Sequence, residues 1–132
     1  GIKSLNLTNN ISQIFPTSEI IPSAGQGVIA LQCRKNDDTI VKILNEINHK
    51  ETHYCVQAER NVLKILEGDC ETAVGVLAKI QVNKIVLEAE LFSLDGTQRF
   101  YLKSSKNVNL AAELGKEVGE ILKKKSKDSY KK

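Results

Sequence analysis

The spacing of apolar positions changes along the chain, and each change predicts a different element. Ile2, Leu5, Leu7, Ile11 and Ile14 recur every few residues and predict one or two short helices, stopped by Pro16. Ile20-Ile21-Pro22 reads as a short extended stretch. After Gly25-Gln26-Gly27, the run Val28-Ile29-Ala30-Leu31-Gln32-Cys33 is nearly all apolar, which predicts a strand buried on both faces. Asn36-Asp37-Asp38 then offers an N-cap and an acidic first turn to a helix with Ile40, Val41, Leu44 and Ile47 on one face. This first third holds one strand and no second strand to pair with it, so it reads as the remnant of domains completed elsewhere in a longer polypeptide.

From Lys50 the pattern becomes self-sufficient. Tyr54, Cys55, Ala58, Val62, Ile65 and Leu66 predict a long amphipathic helix, with Gly68 as its C-terminal stop. Val74 to Ile80 predicts a first strand, and Asn83-Lys84 lies near a turn. Ile85 to Ser93 alternates apolar and acidic residues, as suits a sheet with one wet face. Asp95-Gly96 is the next turn signal, and Arg99 to Lys103 predicts a third strand. Asn107 or Asn109 would cap a closing helix whose buried stripe is Leu110, Ala111, Leu114, Val118, Ile121 and Leu122. The fold class is therefore α+β: a three-stranded antiparallel sheet covered on one face by two helices, preceded by helix and strand remnants.

Composition adds bounds rather than detail. The 132 residues are 41% hydrophobic and 27% charged, which is a globular balance for one main domain with a shorter appendage. No apolar run approaches the ~20 residues of a membrane helix, and Gly1-Ile2-Lys3-Ser4 lacks a signal-peptide core. Three cysteines, an odd number at irregular spacing, argue against a disulfide framework and for a reducing compartment. A cytoplasmic location without a membrane partner follows as the expectation. The net charge of +3 is concentrated in the last ten residues, which carry six Lys beside Asp128 and leave the rest mildly acidic. A disordered, solvated tail over 125–132 is expected, and no nucleic-acid partner, because no basic face or interleaved aromatics extend it.

The candidate chemistry centres on Cys70, in the run Leu66-Glu67-Gly68-Asp69-Cys70 where a helix stops and a sheet begins. By residue type alone it reads as a small apolar residue. By position it is a candidate tether with a fixed backbone address. Glu67, Asp69, Glu71 and the electronegative helix end disfavour its thiolate, so it is poorly built for repeated turnover. His49 and His53, four apart with Cys55 near, could share a helical face, but no third ligand follows at a suitable spacing and no metal site is expected. Cys33 and Cys55 are read as core residues. Gly25-Gln26-Gly27 precedes a strand rather than a helix, so it is no phosphate-binding fingerprint.

Pro22-Ser23-Ala24-Gly25-Gln26-Gly27, Cys33-Arg34, Asn48-His49-Lys50-Glu51-Thr52, Ala58-Glu59-Arg60 and Leu66-Glu67-Gly68-Asp69-Cys70 together resemble, in order, the C-terminal portion of the porphobilinogen deaminase (hydroxymethylbilane synthase) family. The resemblance implies a transferase of tetrapyrrole (heme) biosynthesis that joins four porphobilinogen units on a dipyrromethane cofactor, with loss of ammonia at each step. It implies that Cys70 is the covalent attachment residue and that Gln26 lines the cofactor cleft. The implied division is 1–48 as the remnant of the preceding cleft-forming domains, 49–124 as the cofactor-carrying domain and 125–132 as tail. The family pattern has two glycines before the cysteine, where this chain has Gly68-Asp69. The family's catalytic aspartate and carboxylate-binding arginines lie in an absent half, so no catalytic residue is assigned here; only Arg34, Arg60 and Arg99 are available, and they form no basic cluster. The fragment alone is expected to be inactive, with the cofactor absent from it or carried on Cys70. Its unpaired apolar strand should cause self-association or leave the N-terminal segment disordered. The alternative reading is a noncatalytic α+β module that binds a small molecule or a second copy.

Overall fold

The computed structural model describes residues 2–67 and 72–132. Gly68, Asp69 and Cys70 therefore lie outside the described residues. The sheet is antiparallel in the order β1 (Val74–Gln81), β2 (Lys84–Phe92), β3 (Arg99–Asn107). Its register sets Val76 opposite Ala89, Leu87 opposite Ser104 and Leu91 opposite Phe100. Period-2 alternation sends Val76, Ala78, Ile85, Leu87, Ala89 and Leu91 to one face, where they are buried. Numbering the helices in chain order, α1 is Asp38–Ile47, α2 is Lys50–Leu66 and α3 is Ala111–Ser126. α2 and α3 lie on that face and close the core with Ala58, Val62, Leu66, Leu114, Val118 and Leu122.

The two helices approach closely because α3 presents two glycines to α2. A Cβ on Gly115 would collide with the Ala58 carbonyl oxygen, and one on Gly119 would stand 2.8 Å from Ile65 Cβ. Asn61 Nδ2 donates to the Ala112 carbonyl at 3.2 Å and fixes their relative height. The predicted apolar stripe omitted both glycines, since a missing side chain leaves no hydrophobic signal.

The helix starts differ in chemistry. α1 is capped by Asp37, whose Oδ1 accepts from Ile40 N at 3.2 Å. α2 is capped by His49, whose Nδ1 accepts from Thr52 N at 3.3 Å. Neither Asn107 nor Asn109 caps α3: a 3-10 turn over Val108–Leu110 leads into it, with Leu110 at the cap and no side-chain bond. α2 ends at Leu66, and Glu67 takes the left-handed conformation at φ 54°.

Three expectations for the chain's ends are corrected. The predicted strand at Val28–Cys33 is absent; Ile29 is 89% and Leu31 61% exposed, and Cys33 is half-buried outside any strand. A strand needs a neighbour for its N–H and C=O groups, and the described residues offer it none. The helices expected over Ile2–Ile14 reduce to one 3-10 turn at Thr8–Asn10, too short and too exposed to bury its apolar side chains. The tail over 125–132 is not disordered. α3 runs to Ser126, Lys127 and Asp128 reverse the chain at φ 49° and 59°, and Tyr130 is buried with its hydroxyl donating to the Leu66 carbonyl at 2.8 Å. One aromatic with a hydrogen-bond partner thus outweighs the polar composition around it.

Candidate functional site

Cys70 falls outside the described residues, so the site is built from what flanks it and from Gln26. On the α2 side, the last carbonyl turn is held by the C-terminal segment. Tyr130 takes the Leu66 carbonyl, while Lys123 and Lys131 each place Nζ 2.9 Å from Glu67 Oε2. Those two ammonium groups, Lys123 first, hold the Glu67 carboxyl down to about 2 from its ordinary 4.5. Ser129 O accepts from Leu94 N at 2.8 Å, which ties the same segment to the β2–β3 turn. That turn is organised by Asp95, which accepts from Ser93 Oγ, Thr97 N and Thr97 Oγ1, with Gly96 at φ 71°.

Gln26 sits in a loop of two overlapping turns. Gln26 N donates to Ser23 O at 3.2 Å and Val28 N to Gly25 O at 3.3 Å. Gly25 and Gly27 adopt φ 71° and 78°, which side-chain-bearing residues rarely hold. The loop lies against α2 and β1, and Gln26 is exposed at the wall of a cavity of about 280 Å³ shared with His49, Thr52, Cys55, Glu59 and Ile80. A larger open groove of about 560 Å³ lies between Val28–Leu31, the Leu44 and Ile47 side of α1, and His53 and Val56 of α2.

Glu59 joins these parts. Its side chain is buried, Oε1 accepts from Ala78 N at 2.8 Å and Oε2 from Gly25 N at 2.7 Å. Cys55 lies one turn earlier, and burial pushes its thiol pKa up, with Glu59 and Glu51 adding to the rise and the Ile80 backbone opposing it. Val76 N donates to Pro22 O at 2.8 Å. The outer edge of β1 is therefore matched at residues 76 and 78 by a loop carbonyl and a carboxylate. Glu59 was not singled out from the sequence, although a carboxylate at i+4 from Cys55 and i−3 from Val62 on the apolar face was a readable signal.

The remaining candidates are dispersed. Arg34 is exposed and pairs with Asp37 at 3.4 Å. Arg60 is exposed. Arg99 lies on the sheet's outer face, bound to Glu90 Oε2 at 2.9 Å and stacked over Tyr101. The cavity beside Gln26 is lined by Glu51 and Glu59 and by no Lys or Arg. It does not fit a polycarboxylate ligand by itself, and the described residues contribute no cation cluster to one. Nδ1 of His49 is engaged in capping α2, with the Thr52 hydroxyl 2.8 Å away, and His53 is exposed. Among the described residues no group of three His, Cys, Asp or Glu could hold a metal ion, and no helix is long and apolar enough to cross a membrane.

Comparison with known proteins gives two family matches in chain order. Residues 1–42 match the model described as porphobilinogen deaminase, dipyromethane cofactor binding domain, and residues 53–124 match porphobilinogen deaminase, C-terminal domain. Among curated relatives, the porphobilinogen deaminase of Desulforamulus reducens is 37% identical over 122 residues, covering 92% of this chain and 40% of the relative. That of Dictyostelium discoideum is 34% identical over 139 residues, covering 97% and 41%. The enzyme of Desulforudis audaxviator is 39% identical over 98 residues, covering 74% and 32%. The chain thus spans about two fifths of the length of the first two of these relatives.

Proposed function

Because the chain belongs to the porphobilinogen deaminase family, we propose that it is the C-terminal part of an enzyme that joins four porphobilinogen units into hydroxymethylbilane, with Cys70 as the tether of the dipyrromethane primer. The observation that carries this reading is the ordered pair of family matches, the second of which runs from His53 in α2 past Cys70 to residue 124. Attachment at Cys70 forms a carbon–sulfur bond to the aminomethyl carbon of a porphobilinogen unit, whose amine leaves as ammonia with the thiol proton. When bound, the primer supplies the pyrrole position to which the next unit adds. This chain's own residues hold the attachment point. Carboxylate binding and proton transfer belong to the part of the relatives that this chain does not span, which agrees with a cavity at Gln26 bare of cations.

Residues 49–131 are the cofactor-carrying unit in this reading, with the tail included because Tyr130 closes its core. Residues 1–48 complete the preceding domains, and Ile21 is the one buried hydrophobic described among them. Cytoplasmic residence accords with the free thiols of Cys33 and Cys55.

The test is the intact mass of this chain and of a Cys70→Ser variant after incubation with the N-terminal half and porphobilinogen. An adduct of two condensed pyrrole units on the parent alone is the expected result. An unmodified Cys70 in well-folded, reconstituted halves would instead leave ancestry and fold without the activity and favour the noncatalytic module. The chain by itself should not consume porphobilinogen.

A further inference from the structure

The Glu59 carboxylate is buried, and among the described residues no side-chain cation pairs with it to explain that burial. A buried carboxylate is costly unless its oxygens are hydrogen-bonded. Here both are, and to backbone N–H groups from two segments far apart in sequence: Ala78 on the edge of β1 and Gly25 in the loop that bears Gln26. A carboxylate offers one acceptor oxygen to each of these donors, whereas an amide in the same pose would turn an NH₂ group toward one of them.

The stretch leading into this loop is fixed to the same unit. Pro22 O accepts from Val76 N at 2.8 Å, and Ile21 N donates to Glu90 Oε1 at 3.4 Å while Arg99 holds the other oxygen of Glu90. Ile21 lies directly over Gly75, where an added Cβ would be 2.6 Å from its carbonyl oxygen. Thr17 Oγ1 accepts from Lys79 Nζ at 3.0 Å. By similarity residues 21–27 fall within the first family segment, 1–42. By contacts they are part of the second.

We propose that Glu59 is a positioning residue: it fastens the Gly25–Gly27 loop to the cofactor-carrying unit, so that Gln26 travels with that unit and not with the domain that precedes it. Any movement between the two bodies then flexes after Gly27, in the Val28–Asn36 stretch, which has no helix or strand. The assignment of a ligand contact to Gln26 rests on the deaminase reading; the attachment of its loop does not.

Amide hydrogen exchange on the 132-residue chain tests the attachment. In the parent, Gly25 should exchange at least tenfold more slowly than Ile29, and Glu59→Gln should abolish that difference while Val62 keeps its protection. A Gly25 amide as fast as Ile29 in the parent would overturn the proposal even if the variant fails to fold. So would a Gly25 protection that survives Glu59→Gln. In the full-length enzyme, Glu59→Gln and Gln26→Ala should each lower kcat/KM about tenfold, with a double variant no worse than the more impaired single one. Additive losses, or an unimpaired Gln26→Ala, would contradict a role through Gln26. A Cys70 that never acquires the primer would instead sink the deaminase reading and leave the amide result standing.

Discussion

Residues 2–48 and residues 49–131 are both rich in Ile, Leu and Val, yet one region buries them and the other displays them. In the second, Leu66, Leu87, Leu91, Leu114 and Leu122 are fully buried. In the first, Ile14, Ile29, Leu31 and Ile47 are each more than half exposed. The difference lies in how each element satisfies its backbone. α1 forms in the first region because a helix closes its hydrogen bonds within itself and needs only the Asp37 cap. The Val28–Cys33 run is more densely apolar than α1 but depends on a neighbouring strand, so it remains irregular. Apolar patterning states a preference, and the rest of the chain decides whether that preference is met.

The largest expected effect lies where the second region is tightest. Gly115→Ala should cost about 3 kcal/mol, because its Cβ meets the Ala58 backbone and the helices must separate; urea denaturation reads it directly. Tyr130→Phe keeps the packed ring but removes the bond to the Leu66 carbonyl, for a loss of about 1 kcal/mol in the same assay. An unchanged midpoint would mean that the tail is not part of the unit. Val82→Gly should stabilise by about 0.5–1 kcal/mol, since a β-branched residue stands at φ 57° in the β1–β2 turn with its side chain 93% exposed. Ile29→Ala, on the other side of the comparison, should change stability by under about 0.5 kcal/mol. A loss above 1 kcal/mol would show the first region to be packed after all.

The smallest effect is electrostatic. The Glu67 carboxyl is held low, so its pairing with Lys123 and Lys131 stabilises the fold above its ordinary 4.5 and is lost as pH falls from there toward about 2. Acid titration of Glu67→Gln should lack that limb. High salt should shrink it in the parent, because the pair is exposed.

The sequence made the sheet, its order and both covering helices legible, because each strand lies next to its partner in the chain and each helix carries a continuous stripe. What it concealed has specific causes. Gly115 and Gly119 mark a close helix crossing by the absence of a side chain. Tyr130 is a single aromatic among lysines, so composition pointed to disorder while one packed ring and one hydrogen bond set the structure. Glu59 and Glu90 are buried carboxylates whose backbone partners are remote in sequence, so what they hold could not be read locally. The motifs around Gln26 and Cys70 marked candidates, and Glu59 stood within one of the quoted motifs, but its role in holding the Gln26 loop could not be read from them.

Limited trypsin digestion read by intact mass tests most directly whether residues 49–131, with the 17–27 segment fastened to them, stand as a unit apart from the Val28–Asn36 stretch. The first cuts should fall at Arg34 and Lys35, in the exposed irregular stretch, and a resistant piece that retains α2, the sheet, α3 and Tyr130 should accumulate. Early cleavage at Lys103, Lys106 or Lys123, as fast as at Arg34, would contradict the account.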